Sequence, residues 1–238
     1  MVKIYRCRLE LHDSLYFATR ELGRLYETEP VIHNYALSYV LGLIDSEQFA
    51  TTVEDKAYSY RYFCGEQIPR YQEHLTPLNQ AGIYVTPARA VSHTSVLNTW
   101  KYADNRYHVE MKPTERNIPS FGRTKEISAE SEFEFFVLFN GQALTLPKWV
   151  RVGKWASKAE IKIEELSNIK SHTDQPFVYP YPLNPLDVMF THQVLSYDTI
   201  NMPPVSLIQN VSIHGAYYTT EDVKGVKIPA NMHYHFGT

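Results

Sequence analysis

Apolar and polar positions alternate along much of the chain, which is the pattern of β-strands with one buried face. Residues 2–11 form the first predicted strand, in which Ile4 lies near the core while Arg6, Arg8 and Glu10 point outward. Further strands are predicted at residues 82–86, 132–139, 148–153 and 159–164 and in the tail after residue 186. The stretch at 132–139 is apolar enough for a central strand with both faces partly buried.

One clear helix is predicted to begin at Pro30, because proline is well placed at a first helical position. Ile32, Tyr35, Tyr39 and Leu43 recur after it at helical spacing. A strand followed by a helix resembles the opening half of a ferredoxin-like unit. We therefore expect an α+β protein that is β-rich overall.

A long β-hairpin is predicted around a turn at residues 103–105, with strands at residues 90–102 and 106–111. In the second strand Arg106 and His108 share one face, so the hairpin forms a plausible nucleic-acid arm. Residues 112–127 contain two prolines and a glycine and are predicted to be a loop.

The pattern also predicts where the chain divides. Residues 45–82 are polar and tyrosine-rich, which favours a peripheral insertion, and residues 174–185 hold four prolines, which favours a linker. Turns are expected at residues 203–204 and 224–225. The predicted division is a core at residues 1–173, which includes the insertion and a hairpin arm at about 90–125, and a β-rich extension at residues 174–238 that packs on it.

Charge is distributed unevenly along the chain. The formal net charge is −3, which argues against a free-standing basic nucleic-acid binder. However, residues 89–125 carry seven Lys or Arg against three acids, and residues 148–162 carry five against one. Each of these basic islands has a net charge of +4, so the rest of the chain carries −11. This distribution predicts one basic face, with other faces free for protein partners.

The cysteines and the N-terminus indicate a cytoplasmic protein. Cys7 and Cys64 are far apart and form no C-x-x-C motif, so neither a disulfide framework nor a cysteine zinc site is expected. The first residues lack the layout of a signal peptide, and the longest apolar stretch, at residues 35–44, is too short to cross a bilayer.

Two short segments combine cations with aromatic rings, as single-stranded nucleic acid binding requires. The segment WVRVGKWASKA at 149–159 offers Gly153 for close backbone approach, several cations for phosphates and Trp155 for stacking on a base. The alternative is a hairpin with solvated lysines and a tryptophan packed on the core. The segment 116–125 offers three cations around Phe121, and its alternative is an ordinary surface loop.

Catalysis and metal binding find little support in the sequence. His233 and His235 form the one close histidine pair, and no third zinc ligand is suggested by spacing. Nucleophile, phosphate-loop, zinc-protease and dinucleotide motifs are absent from the sequence. We expect no catalytic residue, no metal and no cofactor.

Taken in order, six segments resemble one family: LHDSLYFATRE at 11–21, IHNYAL at 32–37, GIYVTPA at 82–88, NTWKY at 98–102, NIPSFGR at 117–123 and RVGKWASKA at 151–159. They are similar to the Cas-five-type subunit of type I-D CRISPR systems, also called Csc-one, in the RAMP superfamily. The glycine-rich loop by which such proteins contact RNA keeps only Gly153 here.

This resemblance implies a modified ferredoxin-like (RRM-type) RAMP fold with a β-hairpin thumb. It also implies a subunit that holds the 5′ handle of CRISPR RNA, beside the Cas-seven-type backbone subunits and the large subunit and near target DNA. The residues then expected to contact RNA are Lys101, Arg106, Arg116, Phe121, Arg123, Lys125, Arg151, Lys154, Trp155 and Lys158.

Two other classes of function remain open at this point. One is a metal-independent endoribonuclease that cuts precursor CRISPR RNA, with His108, Lys101 or a tyrosine as general acid or base. The other is a protein scaffold whose aromatic and acidic surface docks partners without contacting RNA.

Overall fold

The computed structural model describes residues 2–44, 69–102 and 120–237, with the backbone alone at residues 101, 102, 120 and 174. Its elements are β1 (Lys3–Leu11), β2 (Arg20–Leu22), β3 (Leu25–Glu27), β4 (Val31–Ile32), α1 (Asn34–Val40), α2 (Tyr71–Gln80), β5 (Ile83–Val85), β6 (Ala88–Ser92), β7 (Ser95–Tyr102), β8 (Ser120–Ile127), β9 (Glu132–Phe139), β10 (Trp149–Val152), β11 (Ser157–Glu165), β12 (Lys170–Tyr179), α3 (Pro185–Val188), β13 (Gln193–Ile200), β14 (Leu207–Thr219) and β15 (Ile228–Pro229). Among these described helices, none has the length and apolar character that a membrane span needs. The described chain is therefore β-rich with few helices.

An antiparallel sheet places the first predicted strand at its centre. Its order is β10-β11-β1-β9-β6-β4, and β5 pairs with the other end of β9. The predicted central strand is confirmed, because every residue of β9 from Phe133 to Leu138 is buried. Cys7 and Phe135 pack toward α1 on one face, whereas Ile4 and Phe136 pack toward the C-terminal strands on the other. Such two-sided burial explains the long apolar run of β9.

The C-terminal strands form a second sheet in the order β12-β14-β13, and β15 also pairs with β14. Residues 174–185 are not the predicted linker, because β12 continues to Tyr179 and α3 begins at Pro185. Proline is tolerated here because β12 is an edge strand. On its outer side there is no neighbouring strand to which the missing N–H of Pro176 would donate. The predicted turns at 203–204 and 224–225 do fall between strands.

A four-stranded sheet in the order β2-β3-β8-β7 is the third layer. β7 and β8 are antiparallel, whereas β3 and β8 are parallel. The loop predicted for residues 112–127 is wrong for its last eight residues, because they form β8. Residues 106–111, the second strand of the predicted hairpin, lie outside the described residues.

The predicted helix is displaced toward its C-terminal end. Val31 and Ile32 pair with β6 as β4, so the helix begins at Asn34 rather than at Pro30. The ring nitrogen of His33 accepts a hydrogen bond from the backbone N–H of Tyr35 and caps the helix. Histidine is not one of the usual capping residues Ser, Thr, Asp and Asn, so the sequence does not indicate that the helix begins here.

Part of the predicted insertion belongs to the core. Residues 45–68 lie outside the described residues, but residues 71–80 form α2 instead of irregular polar structure. Leu75 and Leu78 are buried in the same cluster as Ile4 and Phe136. The polar composition of this stretch therefore conceals one apolar helix face.

Arg6 does not point freely outward as predicted. Its guanidinium is 2.6 Å from Glu134, and the hydroxyl of Tyr181 donates a further hydrogen bond to the same carboxylate. Burial opposes ionisation of Glu134, but the bonds from Tyr181 and Arg6 lower its pKa overall. The ion pair links β1 to β9 within the central sheet, and the hydrogen bond from Tyr181 joins that sheet to the segment after β12.

Asp187 links the C-terminal segment to α1 and β5. Its carboxylate accepts hydrogen bonds from the amide of Asn34 (2.8 Å), the hydroxyl of Tyr84 (3.0 Å) and the backbone N–H of His235 (3.0 Å). Burial raises the pKa of Asp187 to about 7 despite these donors. The C-terminal segment is therefore fixed by a buried carboxylate whose charge is costly.

Candidate nucleic-acid interface

Seven of the ten predicted RNA-contacting residues have described side chains. Arg106 and Arg116 lie outside the described residues. The backbone of Lys101 lies in β7 opposite Phe121, and its side chain is not described. The other seven occupy two surfaces, β8 of the four-stranded sheet and the hairpin formed by β10 and β11.

The strand β8 presents its predicted residues on one face. Phe121, Arg123 and Lys125 are exposed, whereas Thr124 and Glu126 are buried on the opposite face. The register sets Thr99 of β7 and Leu25 of β3 beside Arg123. Side chains two residues apart on a strand share a face, so the two cations and the ring form one row.

Neighbouring side chains contact two of the three residues in this row. Lys125 lies 3.5 Å from Glu27, and the guanidinium of Arg24 lies 5.0 Å from the centre of the Phe121 ring. The sequence places Arg20 and Arg24 a helical turn apart, where each could reach a phosphate or pair with Glu21 or Glu27. In the structure Arg20 is paired with Glu27 and Glu29. Arg123 makes no ion pair with a described residue. We name the row of Phe121, Arg123 and Lys125, with Arg24, the β8 face.

The buried side of β8 explains its polar sequence. Glu126 accepts hydrogen bonds from Asn98 (2.9 Å) and Thr124 (2.6 Å), so polar groups replace the apolar residues expected on an inner face. The Trp100 ring covers Gly122, where a Cβ atom would lie 2.2 Å from the ring. Glycine is therefore needed in the NIPSFGR segment for packing.

The turn between β10 and β11 docks on the segment after β1. Gly153 has a φ of +79°, and a Cβ atom there would lie 2.7 Å from Leu15 and 2.8 Å from the carbonyl oxygen of Tyr16. The backbone N–H of Lys154 donates to that same oxygen at 2.8 Å. Trp155 packs on the Tyr16 ring with 4.6 Å between centroids and remains 52% exposed. One face of Trp155 therefore lies on a buried core residue, as in the alternative of a tryptophan packed on the core, and its exposed part is the surface that a base could contact.

Arg151 and Lys158 are cross-strand neighbours on the outer face of the hairpin. The Lys158 ammonium lies 4.3 Å from the centre of the Trp149 ring. Arg151 donates to the carbonyl oxygen of Ala156 and lies 3.8 Å from Asp13, which also accepts from the Lys158 backbone N–H. We name Arg151, Lys154, Trp155 and Lys158 the hairpin face.

Residues 13–19 join the two faces. Leu15 exchanges backbone hydrogen bonds with Ile127 at the end of β8, at 2.7 and 3.0 Å. The next residue, Tyr16, contacts the hairpin turn through its ring and its carbonyl oxygen. The cations and rings of both islands therefore lie on surfaces held by one short segment.

Two residues of this region were given no role from the sequence. Trp149 has a weak signal, since it is two positions before Arg151 on a predicted strand. Tyr16 has none, because its role depends on contact with Trp155 far along the chain.

The histidines that the sequence offers as zinc ligands are not assembled into a metal site in the described part of the chain. Among the described residues no group of three His, Cys, Asp or Glu could hold a metal ion. The rings of His233 and His235 are 6.5 Å apart, and each contacts a backbone carbonyl. His108 lies outside the described residues.

The arrangement defines a β-rich protein with two connected surfaces that carry cations and exposed rings. The family model for type I-D CRISPR-associated protein Cas5/Csc1 matches residues 2–237, and the chain belongs to this family. The proteins of this family are CRISPR effector subunits. A comparison with curated proteins gives no match.

Two solved structures show distant similarity. A chain of the cryo-EM structure of the type III-B Cmr-beta bound to cognate target RNA is 12% identical, with a TM-score of 0.40 over 69% of this chain and 60% of that one. A chain of the same assembly with target RNA and AMPPnP, state 1, is 10% identical, with a TM-score of 0.41 over 88% and 86%. Such low scores carry no argument about function.

Proposed function

We propose that this chain is a non-catalytic, RNA-binding subunit of a type I-D CRISPR surveillance complex in the cytoplasm. In this role it holds the 5′ handle of CRISPR RNA and helps to recognise target DNA near the protospacer-adjacent motif. We also propose that the chain has a modified ferredoxin-like RAMP fold, in which β7 and β8 are part of the thumb. Its proposed neighbours are the backbone subunits and the large subunit.

The observation that carries this proposal is the connection of the β8 face to the hairpin face through residues 13–19. Exposed cations neutralise phosphates and exposed rings stack on bases, which together suit a single strand rather than a duplex. The β8 face contributes Arg123 and Lys125, and the hairpin face contributes Arg151, Lys154 and Lys158. We propose that one RNA strand passes residues 13–19 and contacts both faces.

Charge separates these faces from the C-terminal sheet. The sequence has no Lys or Arg between Lys170 and Lys224, although this stretch includes most of β12 and all of β13 and β14. Val178 and Leu195 are exposed there, at 62% and 54%. A surface whose few cations lie at the ends of this stretch attracts RNA weakly, so we propose that protein subunits pack on this side of the molecule.

The test is nuclease footprinting of CRISPR RNA in the reconstituted type I-D complex. One complex contains the chain with Arg123→Gln, Lys125→Gln and Lys158→Gln, and the control contains Lys170→Gln, Lys224→Gln and Lys227→Gln. Both variants lose three positive charges. We expect the 5′ handle to lose protection in the first complex only. Equal protection in two intact complexes would contradict RNA contact and favour the scaffold.

The absence of catalysis is part of the proposal and has its own measurement. Precursor CRISPR RNA incubated with the chain in EDTA is expected to stay intact while bound. A product that ends in a 2′,3′-cyclic phosphate would instead support the endoribonuclease, because that end forms when the 2′-hydroxyl attacks the adjacent phosphate.

A further inference from the structure

Trp149 is a large aromatic side chain exposed at the edge of the central sheet. It begins β10, the outermost strand of that sheet, and its side chain is 48% exposed. Its neighbour Val150 is buried, so the alternation of β10 directs the tryptophan away from the core. A side chain of this size in water is a candidate for ligand contact.

The surroundings of Trp149 combine a cation, a second ring and a cleft. The Lys158 ammonium lies 4.3 Å from the ring centre, and the His12 ring meets it edge-on at 5.0 Å. A cleft of about 620 Å³ opens beside the ring, with apolar walls from Val40, Leu146 and other residues. Arg151 and Lys158 also line this cleft, which places two cations at the mouth of an apolar space.

Charges of both signs face this site. Glu160 is the cross-strand neighbour of Trp149, and Asp13 lies 3.8 Å from Arg151. Asp13 already accepts a backbone hydrogen bond from Lys158, which uses part of its acceptor capacity. The Lys158 side chain makes no ion pair with a described residue, so its charge is available to an anion.

We propose that Trp149 is a stacking site for one base of single-stranded RNA, with Lys158 and Arg151 binding the phosphates on either side. This inference rests on the proposed function, since it assigns one nucleotide position on the hairpin face. The ligand class follows from the chemistry: a planar ring stacks on tryptophan, and its linked phosphates need cations within one side-chain length.

The contact between Lys158 and Trp149 is suited to exchange. An exposed cation over an aromatic ring is a weaker interaction than a base stacked on tryptophan. A base can therefore displace the Lys158 ammonium and stack on the Trp149 ring. The displaced ammonium then binds a phosphate of the same RNA. In the absence of RNA the lysine covers the ring and limits its contact with water.

Trp149 and Trp155 differ in how freely their rings can accept a base. The Trp155 ring is packed against Tyr16 by contacts that fix the hairpin turn, so one of its faces has a structural role. Trp149 meets the His12 ring edge-on, and the cation over its ring is a flexible lysine side chain, which can move away without disturbing the backbone. We therefore place the nucleotide-responsive ring at Trp149.

The test uses tryptophan emission, because the sequence has only three tryptophans. In the full chain with Trp100→Phe and Trp155→Phe, Trp149 is the sole tryptophan, and excitation at wavelengths that tyrosine does not absorb reports its emission alone. Titration with a 12-nucleotide oligouridylate is expected to quench its emission at the RNA concentrations that give binding by fluorescence anisotropy. In the otherwise native chain, Trp149→Leu is expected to weaken binding about tenfold. The control Phe190→Leu, at an exposed ring on the C-terminal side, is expected to leave binding unchanged.

The outcomes separate this inference from the proposed function. Binding with unchanged Trp149 emission would overturn the stacking site and leave RNA binding intact. No binding by the native chain or by the reconstituted complex would overturn both. Thermal melting of each variant identifies unfolding, and Lys158→Gln, which keeps the ring, is expected to weaken binding while the emission is still quenched.

Discussion

The Trp155 ring lies against the Tyr16 ring, with 4.6 Å between their centroids and 37° between their planes. This contact joins the turn of the β10–β11 hairpin to the segment that follows β1. Since Leu15 in that segment also pairs with Ile127 of β8, the contact determines how the two basic islands lie relative to each other.

The first prediction concerns Gly153 in the docked turn. Gly153→Ala is expected to lower the free energy of unfolding by at least about 2 kcal/mol, because the residue has a positive φ and its Cβ would overlap Leu15 and Tyr16. Gly225→Ala is the matched control: its φ is +80°, but a Cβ atom added there would meet no other atom within 4 Å. It is expected to cost about 1 kcal/mol. Equal losses in urea unfolding would contradict the docked turn.

The second prediction concerns the salt dependence of RNA binding. Lys125 and Lys170 each lie near one glutamate, at 3.5 and 3.7 Å, but only Lys125 is on the β8 face. Lys125→Gln is expected to reduce the slope of log K against log salt by about 0.7, the value for one phosphate contact on a single strand. Lys170→Gln is expected to leave the slope unchanged. An unchanged slope for Lys125→Gln would remove this residue from the interface.

The third prediction concerns the packing of Trp100 on Gly122. Gly122→Ala is expected to destabilise the chain by about 1–3 kcal/mol, since the new methyl group would overlap the ring. Trp100→Leu should remove the overlap, so the double variant is expected to lose less than the sum of the two single losses. Additive losses in a double-mutant cycle measured by urea unfolding would show that the ring and Gly122 are not in contact.

The fourth prediction concerns the pH dependence of stability. The pKa of Asp187 is raised to about 7 by burial, whereas an unfolded aspartate has a pKa of about 3.9. Between these values the folded chain binds the extra proton, so Asp187 contributes stability that is lost as pH rises from about 4 to about 7. Asp187→Asn removes this dependence.

Over part of this pH range another buried group makes the stability rise with pH instead of fall. Burial lowers the pKa of His33 to about 4, and this histidine contributes stability that is lost as pH falls below about 6.5. The informative quantity is therefore the difference in unfolding free energy between the native chain and Asp187→Asn. It is expected to fall by up to about 1.4 kcal/mol per pH unit from pH 4 to pH 7 and to level off above. A pH-independent difference would show that Asp187 is ionised when folded.

The sequence is informative where one face of a strand is apolar. The pattern predicts β1, β9 and β11 because residues such as Leu9, Phe135 and Ile161 recur with a period of two or in an unbroken run. The same alternation indicates the exposed positions of the hairpin face. Local pattern is sufficient there because the buried face is built from ordinary apolar residues.

The sequence is uninformative where polar groups are buried or prolines lie at an edge. The prolines and the glycine of residues 112–127 predict a loop in place of β8, and the inner face of this strand gives no apolar signal against it. That face holds Thr124 and Glu126, whose hydrogen-bond partners lie on β7 and within the strand. The pattern predicts a linker in place of the end of β12 because of prolines such as Pro176, which an edge strand tolerates. Both strands depend on neighbours that sequence periodicity does not reveal.

The most direct test of the proposed function is photocrosslinking of the type I-D complex that contains this chain. CRISPR RNA is labelled at its 5′ end, carries photoreactive uridines in the handle and is irradiated in the intact complex, after which the crosslinked peptides are mapped. We predict crosslinks in residues 120–125 and 149–158. An intact complex in which the handle crosslinks only to other subunits would contradict the proposed function.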